Sequence, residues 1–397
     1  MKTGKVNLSG TKSARCGAKK ADWEAGKTKR WAAGLFIALI FMYNQIGALA
    51  QNDSTARAAC VLEVETGRVL FEKEMHRRLP MASTTKVMTA LLALERGELT
   101  DAVTCSKRAF GVPGTSIYLA EGETLTLEEM LLGLMLASGN DAAAAIAEHI
   151  GGSLPQFVQL MNERARELGA KNTHFANPHG LPDDTHVTTA YDLALIAREA
   201  MKNPLFRRLV STKEATISWQ GRDYGRKLHN KNRLLRDYPG ATGIKTGFTS
   251  RAGRCLVFGA ERDGMELVGV VLGCANWFNE AARLLDRCFE RYSFVRVLGP
   301  GQSAGQIPVL DGKADKTQLC VMQDMCLPLE EGERVQLVLD VPEALRAPVY
   351  PGMHAGTAHL VSGSEILMSA EVVAANRVDS KRIVLDVRRV MACWEIE

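Results

Sequence analysis

Apolar and polar positions alternate on both sides of Thr66-Gly67, through Val61-Leu62-Glu63-Val64 before the pair and Arg68-Val69-Leu70-Phe71 after it. A period of two around a turn pair predicts a β-hairpin over residues 57–72. From Thr84 to Leu94 the pattern becomes helical and strongly apolar. Thr126-Leu127-Glu128-Glu129 reads as a capping box opening a helix to about Leu136, and a second helix runs from Asp141 to Ile150, stopped by Gly151-Gly152. Amphipathic stretches over 154–168 and 190–201 make the middle of the chain mostly α. After Pro239-Gly240 the period returns to two, over 243–249, 254–260 and 266–272, with Asp263-Gly264 as a hairpin turn. These strands predict an antiparallel sheet. Helical spacing of Ala281, Leu284, Leu285, Cys288 and Phe289 within 276–292 supplies a helix to pack on it.

The breaker-rich run Leu298 to Gly305 predicts a domain boundary, and short strands follow at 335–339, 356–361 and 365–373. The fold class is therefore α/β of the α+β kind: an antiparallel sheet packed by helices, a helical subdomain, and a small β-rich C-terminal domain. The expected division is a leader at 1–50, a catalytic domain at 51–295, the β-rich domain at 306–380 and a tail at 381–397. In that tail Ile383, Val387, Val390 and Trp394 fall on one helical face, which suits a membrane surface. Ile383, Leu385 and Val387 also alternate as a strand would, so both readings stand.

Charge sharpens the reading of the N-terminus. The first thirty residues hold nine Lys/Arg against Asp22 and Glu24, an apolar run from Trp31 to Tyr43 follows, and Ala48-Leu49-Ala50 closes it. That is the layout of a secretory signal peptide, with Gln51 as the expected mature start. Beyond residue 50 the chain has 40 basic and 43 acidic residues, so the overall +4 comes from the leader, and no nucleic-acid footprint is expected. Cys16 goes with the leader. The other eight cysteines lack paired C-x-x-C spacing, so neither a metal nor another cofactor is expected. Most sit among apolar neighbours and read as buried thiols. Cys320 and Cys326 are placed so that a bridge is open to them.

Three short segments carry chemistry: Ser83-Thr84-Thr85-Lys86, Ser138-Gly139-Asn140 and Lys245-Thr246-Gly247, spaced 55 and 107 positions apart. Together they match the signature S-x-x-K, S-x-N, K-T-G of serine penicillin-recognising enzymes. The strings are individually cheap. Ser9-Gly10-Thr11-Lys12 and Lys2-Thr3-Gly4 repeat two of them in the leader. Local context gives them weight. Ser83 stands at an expected helix start with Lys86 on the same face, so a hydroxyl and an amine can meet. An apolar setting favours the neutral amine, which can take the serine proton. Ser138 and Asn140 fall on a turn between two helices, where they can relay a proton to a departing nitrogen and hold a carbonyl. Lys245 and Thr246 lie on an expected strand and can fix a substrate carboxylate. Gly247 allows close approach there, and the N–H of Phe248 can join that of Ser83 as an oxyanion hole.

The chain resembles the low-molecular-mass penicillin-binding proteins of the D-alanyl-D-alanine carboxypeptidase type, peptidase family S11. The resemblance rests on Met81-Ala82-Ser83-Thr84-Thr85-Lys86-Val87-Met88-Thr89-Ala90, Ser138-Gly139-Asn140-Asp141-Ala142, Asn177-Pro178-His179-Gly180-Leu181 and Lys245-Thr246-Gly247-Phe248-Thr249. Ala347-Pro348-Val349-Tyr350-Pro351-Gly352 is similar to the family's C-terminal domain. The resemblance implies a transpeptidase-like, β-lactamase-like catalytic fold. It implies that Ser83 attacks the penultimate D-Ala carbonyl of a peptidoglycan stem pentapeptide, with Lys86 as base and Ser138 and Asn140 assisting, and that β-lactams acylate the same serine. It places the His179 block away from the nucleophile, as a structural turn. The implied partners are peptidoglycan stem peptides and β-lactams, with peripheral membrane contact through the tail. Rival expectations are a D,D-endopeptidase, a class A-like β-lactamase and a non-catalytic wall-binding protein.

Overall fold

The computed structural model describes residues 54–381. The basic and apolar leader, and all of the C-terminal tail except Lys381, lie outside the described residues. The chain divides between Arg291 and Tyr292 into two compact units.

In the first unit β1 (Ala58–Glu63) and β2 (Val69–Lys73) form the expected hairpin. A 3-10 turn, Ala82–Thr85, leads directly into α1 (Lys86–Arg96). Every residue of α1 from Lys86 to Ala93 is buried, as its all-round apolar sequence requires. β3 (Ala102–Thr104) pairs with β4 (Thr124–Thr126), after which α2 (Leu127–Leu132) opens on a capping box. In that box Thr126 Oγ1 accepts from the N–H of Glu129 at 3.2 Å, and the Glu129 carboxylate accepts from the N–H of Thr126 at 3.0 Å. α2 gives way to a π turn, Gly133–Ala137, before α3 (Asn140–Gly151).

Then come α4 (Leu154–Glu167), α5 (Ala190–Met201), α6 (Pro204–Ser211), the hairpin of β5 (Glu214–Ile217) and β6 (Arg226–His229), and α7 (Leu234–Asp237). The unit closes with β7 (Ala241–Thr249), β8 (Gly253–Arg262), β9 (Met265–Leu272) and α8 (Trp277–Arg291). Asp263 and Gly264 both take positive φ, 52° and 79°, as a tight two-residue hairpin turn demands.

The sheet is antiparallel in the order β2-β1-β9-β8-β7, so β7 is an edge strand. α8 packs on β8 and β9 through Ala281, Leu284, Leu285 and Cys288. One apolar core runs from the sheet through α1, α3 and α5, with Val257, Val268, Met88, Leu92, Ala144, Ile146 and Ile196 all buried within it.

The second unit is a β structure. Its strands are β10 (Tyr292–Leu298), β11 (Ser303–Leu310), β12 (Lys316–Val321), β13 (Met325–Glu330), β14 (Gln336–Asp340), β15 (Leu345–Arg346), β16 (His354–Ser362) and β17 (Glu365–Ala374). β10 pairs with β13, and the rest form a six-stranded sheet in the order β14-β16-β17-β12-β11-β15. The division therefore falls before the breaker run at 298–305, not at residue 295. Residues 292–298 alternate and pair with β13, and Gly299 to Gln302 form a turn inside this unit, with Gln302 N–H donating to Gly299 O at 3.0 Å. Cys320 and Cys326 are not bridged. They lie on strands of different sheets.

Candidate active site

Across Met81 to Ala93, Ser83 is the one residue that is not buried. It sits within the 3-10 turn, and the α-helix proper begins at Lys86. Ala82, just before it, holds φ at 49°, a region that costs an L-residue about 1–2 kcal/mol. Hydroxyls fix this turn from inside: Thr84 Oγ1 donates to Met81 O at 2.6 Å and Thr85 Oγ1 to Ala82 O at 2.8 Å.

Lys86 is fully buried, and its Nζ has three neighbours: Ser83 Oγ at 3.1 Å, Asn140 Oδ1 at 2.7 Å and His179 O at 2.7 Å. Burial holds this amine well below the ordinary lysine range, and the positive charges of Lys245 and Lys231 push the same way. A neutral amine has two N–H bonds and one lone pair. In that form the amide and main-chain oxygens can take the two hydrogens, leaving the lone pair to face the Ser83 hydroxyl.

Asn140 is the first residue of α3, yet Gly139 is the N-cap and the Asn140 side chain caps nothing. Its Nδ2 donates to Pro113 O at 2.6 Å while its Oδ1 holds Lys86, so the amide orientation is fixed from both ends. Ser138 occupies the left-handed region at φ 67° and is 4% exposed, a strained conformation between the π turn and α3. Asp141, the residue after Asn140, is marked in the sequence only as a helix start and as part of a family block. Its carboxylate accepts from Ser116 Oγ at 2.6 Å and from the N–H groups of Ile117 and Leu119 at 3.1 Å, tying down the loop that presents Pro113.

Lys245 is 1% exposed, unlike a lysine that merely protects a sheet edge. Its Nζ donates to Thr246 O at 2.9 Å. Burial, then Lys231, brings its pKa down to about 7. Thr246 is nearly buried, whereas Phe248 is 64% exposed. Gly247 lies against the turn that carries Ser83 so closely that a Cβ there would stand 2.9 Å from the backbone nitrogens of both Ser83 and Thr84. The three segments thus converge, with β7 packed against the turn that carries Ser83.

The block Asn177 to Leu181 is not remote from Ser83, contrary to the expectation drawn from resemblance. His179 supplies its carbonyl to Lys86, Pro178 O accepts from Thr89 Oγ1 at 2.6 Å, and Gly180 abuts the carbonyl of Ala82. The His179 ring does act structurally. Its Nδ1 accepts from the N–H of Leu181 at 3.3 Å, and burial lowers its pKa to about 3, keeping it neutral. Proximity of a main-chain carbonyl leaves no side-chain signature, whereas Gly180 at φ 87° is the trace a sequence can carry. Among the described residues no group of acidic, His or Cys side chains is arranged to hold a metal ion.

The chain is similar to known proteins over most of its length. The sequence profile described as peptidase S11, D-alanyl-D-alanine carboxypeptidase, matches residues 45–276, and that of the penicillin-binding protein 5 C-terminal domain matches residues 292–380. The chain is 33% identical over 385 residues to the D-alanyl-D-alanine carboxypeptidase DacF of Bacillus subtilis, covering 92% of this chain and 99% of that one. Penicillin binding protein 5 from Haemophilus influenzae superposes with a TM-score of 0.70 at 28% identity, covering 83% of this chain and 98% of that structure. A peptidoglycan synthesis regulatory factor (PBP3) from Streptococcus pneumoniae gives a TM-score of 0.72 at 26% identity, covering 82% and 100%.

Proposed function

Because the chain belongs to the D-alanyl-D-alanine carboxypeptidase family, peptidase S11, we propose that Ser83, Lys86, Ser138, Asn140 and Lys245 remove the terminal D-alanine from peptidoglycan stem pentapeptides through an acyl-enzyme. The carrying observation is the buried Lys86 amine, which lies 2.7 Å from Asn140 Oδ1, 2.7 Å from His179 O and 3.1 Å from the Ser83 hydroxyl.

In this reading the Lys86 amine takes the Ser83 proton as Oγ bonds to the penultimate D-Ala carbonyl carbon. The C–N bond to the terminal D-Ala then breaks. The proton now on Lys86 passes by way of Ser138 to the departing nitrogen, and water later splits the ester with the same amine as base. Lys245 and Thr246 hold the terminal carboxylate. The backbone N–H groups of Ser83 and Phe248 receive the developing oxyanion, a reading supported by the close contact of Gly247 with the Ser83 turn. A β-lactam, which presents a reactive amide and a carboxylate to the same groups, acylates Ser83.

Work on stem peptides belongs outside the cytoplasmic membrane, and the basic and apolar leader ending at Ala50 supports export. Residues 381–397 are read as a peripheral membrane contact. Among the described residues no helix is long and apolar enough to cross a membrane. Fractionation of cells making the full chain and a chain ending at Ser380 tests this, since only the full chain is expected with the membranes.

Intact mass after benzylpenicillin treatment, followed by peptide mapping, tests the site: one adduct on Ser83, lost in Ser83→Ala. An adduct on another residue overturns the assignment. Digestion of purified muropeptides separates the activities. Free D-alanine from pentapeptide is the expected product, and loss of cross-linked dimers without it would mark an endopeptidase.

A further inference from the structure

We infer that His186 is a positioning residue for the nucleophile, setting Ser83 through the Thr85 hydroxyl and the carbonyl of Ala82. The inference rests on the reading of Ser83 as nucleophile.

The chain of contacts is fully specified. Thr85 has one hydroxyl hydrogen, and it goes to Ala82 O at 2.8 Å. His186 Nε2 lies 2.7 Å from the same hydroxyl and must therefore donate to it. The other ring nitrogen gives the same answer independently: Nδ1 accepts from the N–H of Ala176 at 2.9 Å, so the hydrogen is on Nε2. The ring is neutral with one tautomer, and each of its nitrogens is used once. Both His186 and Thr85 are buried, and the ring stands edge-on to Phe175 at 5.9 Å.

What this relay holds is a strained residue. Ala82 at φ 49° precedes Ser83, and such a conformation persists only where its surroundings over-determine it. The hydroxyl of Thr85 fixes the direction of the Ala82 carbonyl, and with it the peptide plane that ends at the nitrogen of Ser83. His186 in turn decides which way that hydroxyl can point. With a donor on its lone pair, Thr85 has its own hydrogen free for Ala82 O.

A neutral donor also suits the chemistry. Charged and titratable groups facing the ring are Asp183, His174, Lys86 and His179, and burial with His174 and Lys86 outweighs Asp183 to bring its pKa down to about 4. An imidazolium would strip Ala176 of its acceptor and add a cation beside the amine that has to stay uncharged. His186 thus serves the serine geometrically while leaving Lys86 free of a further positive neighbour.

The test compares wild type, His186→Leu, His186→Gln, Thr85→Val and the His186→Leu/Thr85→Val double variant. Readouts are the second-order rate of acylation by a fluorescent penicillin, kcat and KM on a stem pentapeptide, and the melting temperature. His186→Leu and Thr85→Val are each expected to lose about 10- to 100-fold in acylation rate and kcat, the range for displacing a reacting group by up to 1 Å. KM should stay within about threefold, since the carboxylate site is untouched. The double variant should be no worse than the worse single one, because both break one relay. His186→Gln should recover to within about threefold of wild type, its amide oxygen accepting from Ala176 and its NH2 donating to Thr85. The inference is overturned if His186→Leu acylates like wild type, if the two losses multiply, or if His186→Gln is as slow as His186→Leu while melting like wild type. Failure of the underlying reading looks different: wild type itself then carries no adduct on Ser83.

Discussion

Replacing Gly180 by alanine should silence the site without touching any side chain in it. Gly180 has φ at 87°, and a Cβ built there would stand 1.9 Å from Ala82 O, 2.4 Å from Ala82 C and 2.9 Å from Ser83 N. Ordinary contact begins at 3.4 Å, so the shortfall against the carbonyl oxygen is about 1.5 Å. None of these atoms belongs to a flexible side chain that could swing aside. Either the 177–181 segment retreats, withdrawing the His179 carbonyl from Lys86, or the Ala82–Ser83 peptide moves, carrying the Ser83 hydroxyl with it. Displacement of a reacting group by about 1 Å costs roughly 100-fold in rate, so Gly180→Ala should lose at least that in acylation by a fluorescent penicillin.

Gly169→Ala is the control. Gly169 has φ at 80° but no atom within 4 Å of its virtual Cβ. That variant meets only the backbone cost of a left-handed alanine, about 1–2 kcal/mol, seen as a few degrees in melting temperature with acylation unchanged. The reasoning fails if Gly180→Ala melts within a few degrees of Gly169→Ala and still acylates at the wild-type rate. The block behind the nucleophile would then be able to yield without moving Ser83.

Two further outcomes are expected. The profile of kcat/KM against pH should fall on its basic side as Lys245 loses its proton near 7, because a neutral amine no longer attracts the substrate carboxylate. Lys245→Arg should abolish that limb, because a guanidinium keeps its charge across this range. The same depressed pKa makes the fold more stable as pH rises from about 7 towards the ordinary lysine value of 10.5, since in that window the unfolded chain holds the proton and the folded chain does not; chemical denaturation at several pH values checks the sign. Separately, Glu123 and Arg226 form an ion pair at 2.9 Å with side chains only 2% and 5% exposed. Glu123→Gln leaves a buried guanidinium without its counter-charge and should cost about 3–5 kcal/mol in denaturant unfolding, whereas replacing both residues by leucine should cost less than either single change.

Most of the fold was legible because its elements are long and periodic. The 57–72 hairpin, the helices at 154–167 and 190–201, and the strands on either side of Asp263-Gly264 follow from spacing alone. The misses have local causes. α6 begins at Pro204, and Asn203 Oδ1 caps it from outside at 2.9 Å to Leu205 N–H, so a proline that reads as a stop is the first residue of a short helix. β5 and β6 are four residues each and mostly exposed on alternate positions, too short for a period to assert itself. The helix after Thr126 runs as far as expected but finishes as a π turn, which no spacing of side chains announces. The unit boundary was misplaced because Gly299 to Gly305 signals a turn, and a turn within a domain uses the same residues as a linker between two.

The site divides along a different line, between atoms that belong to side chains and atoms that do not. Ser83, Lys86, Asn140 and Lys245 announce themselves by type and spacing, because a hydroxyl, an amine, an amide and a cation are chemically distinct. Their protonation states depend on partners that are not. In its neutral form the Lys86 amine can direct its lone pair at Ser83 because two oxygens stand ready for its hydrogens, one of a side-chain amide and one of the main-chain carbonyl of His179, an acceptor every residue type has. The same holds for Pro113 O, which fixes the Asn140 amide, and for Ala82 O, which receives the Thr85 hydroxyl. In the proposed function specific side chains supply the reacting atoms, and main-chain oxygens decide where those atoms point. A motif can reveal the first set. The second shows itself only through residues such as Gly180, whose missing side chain is what lets a carbonyl into place.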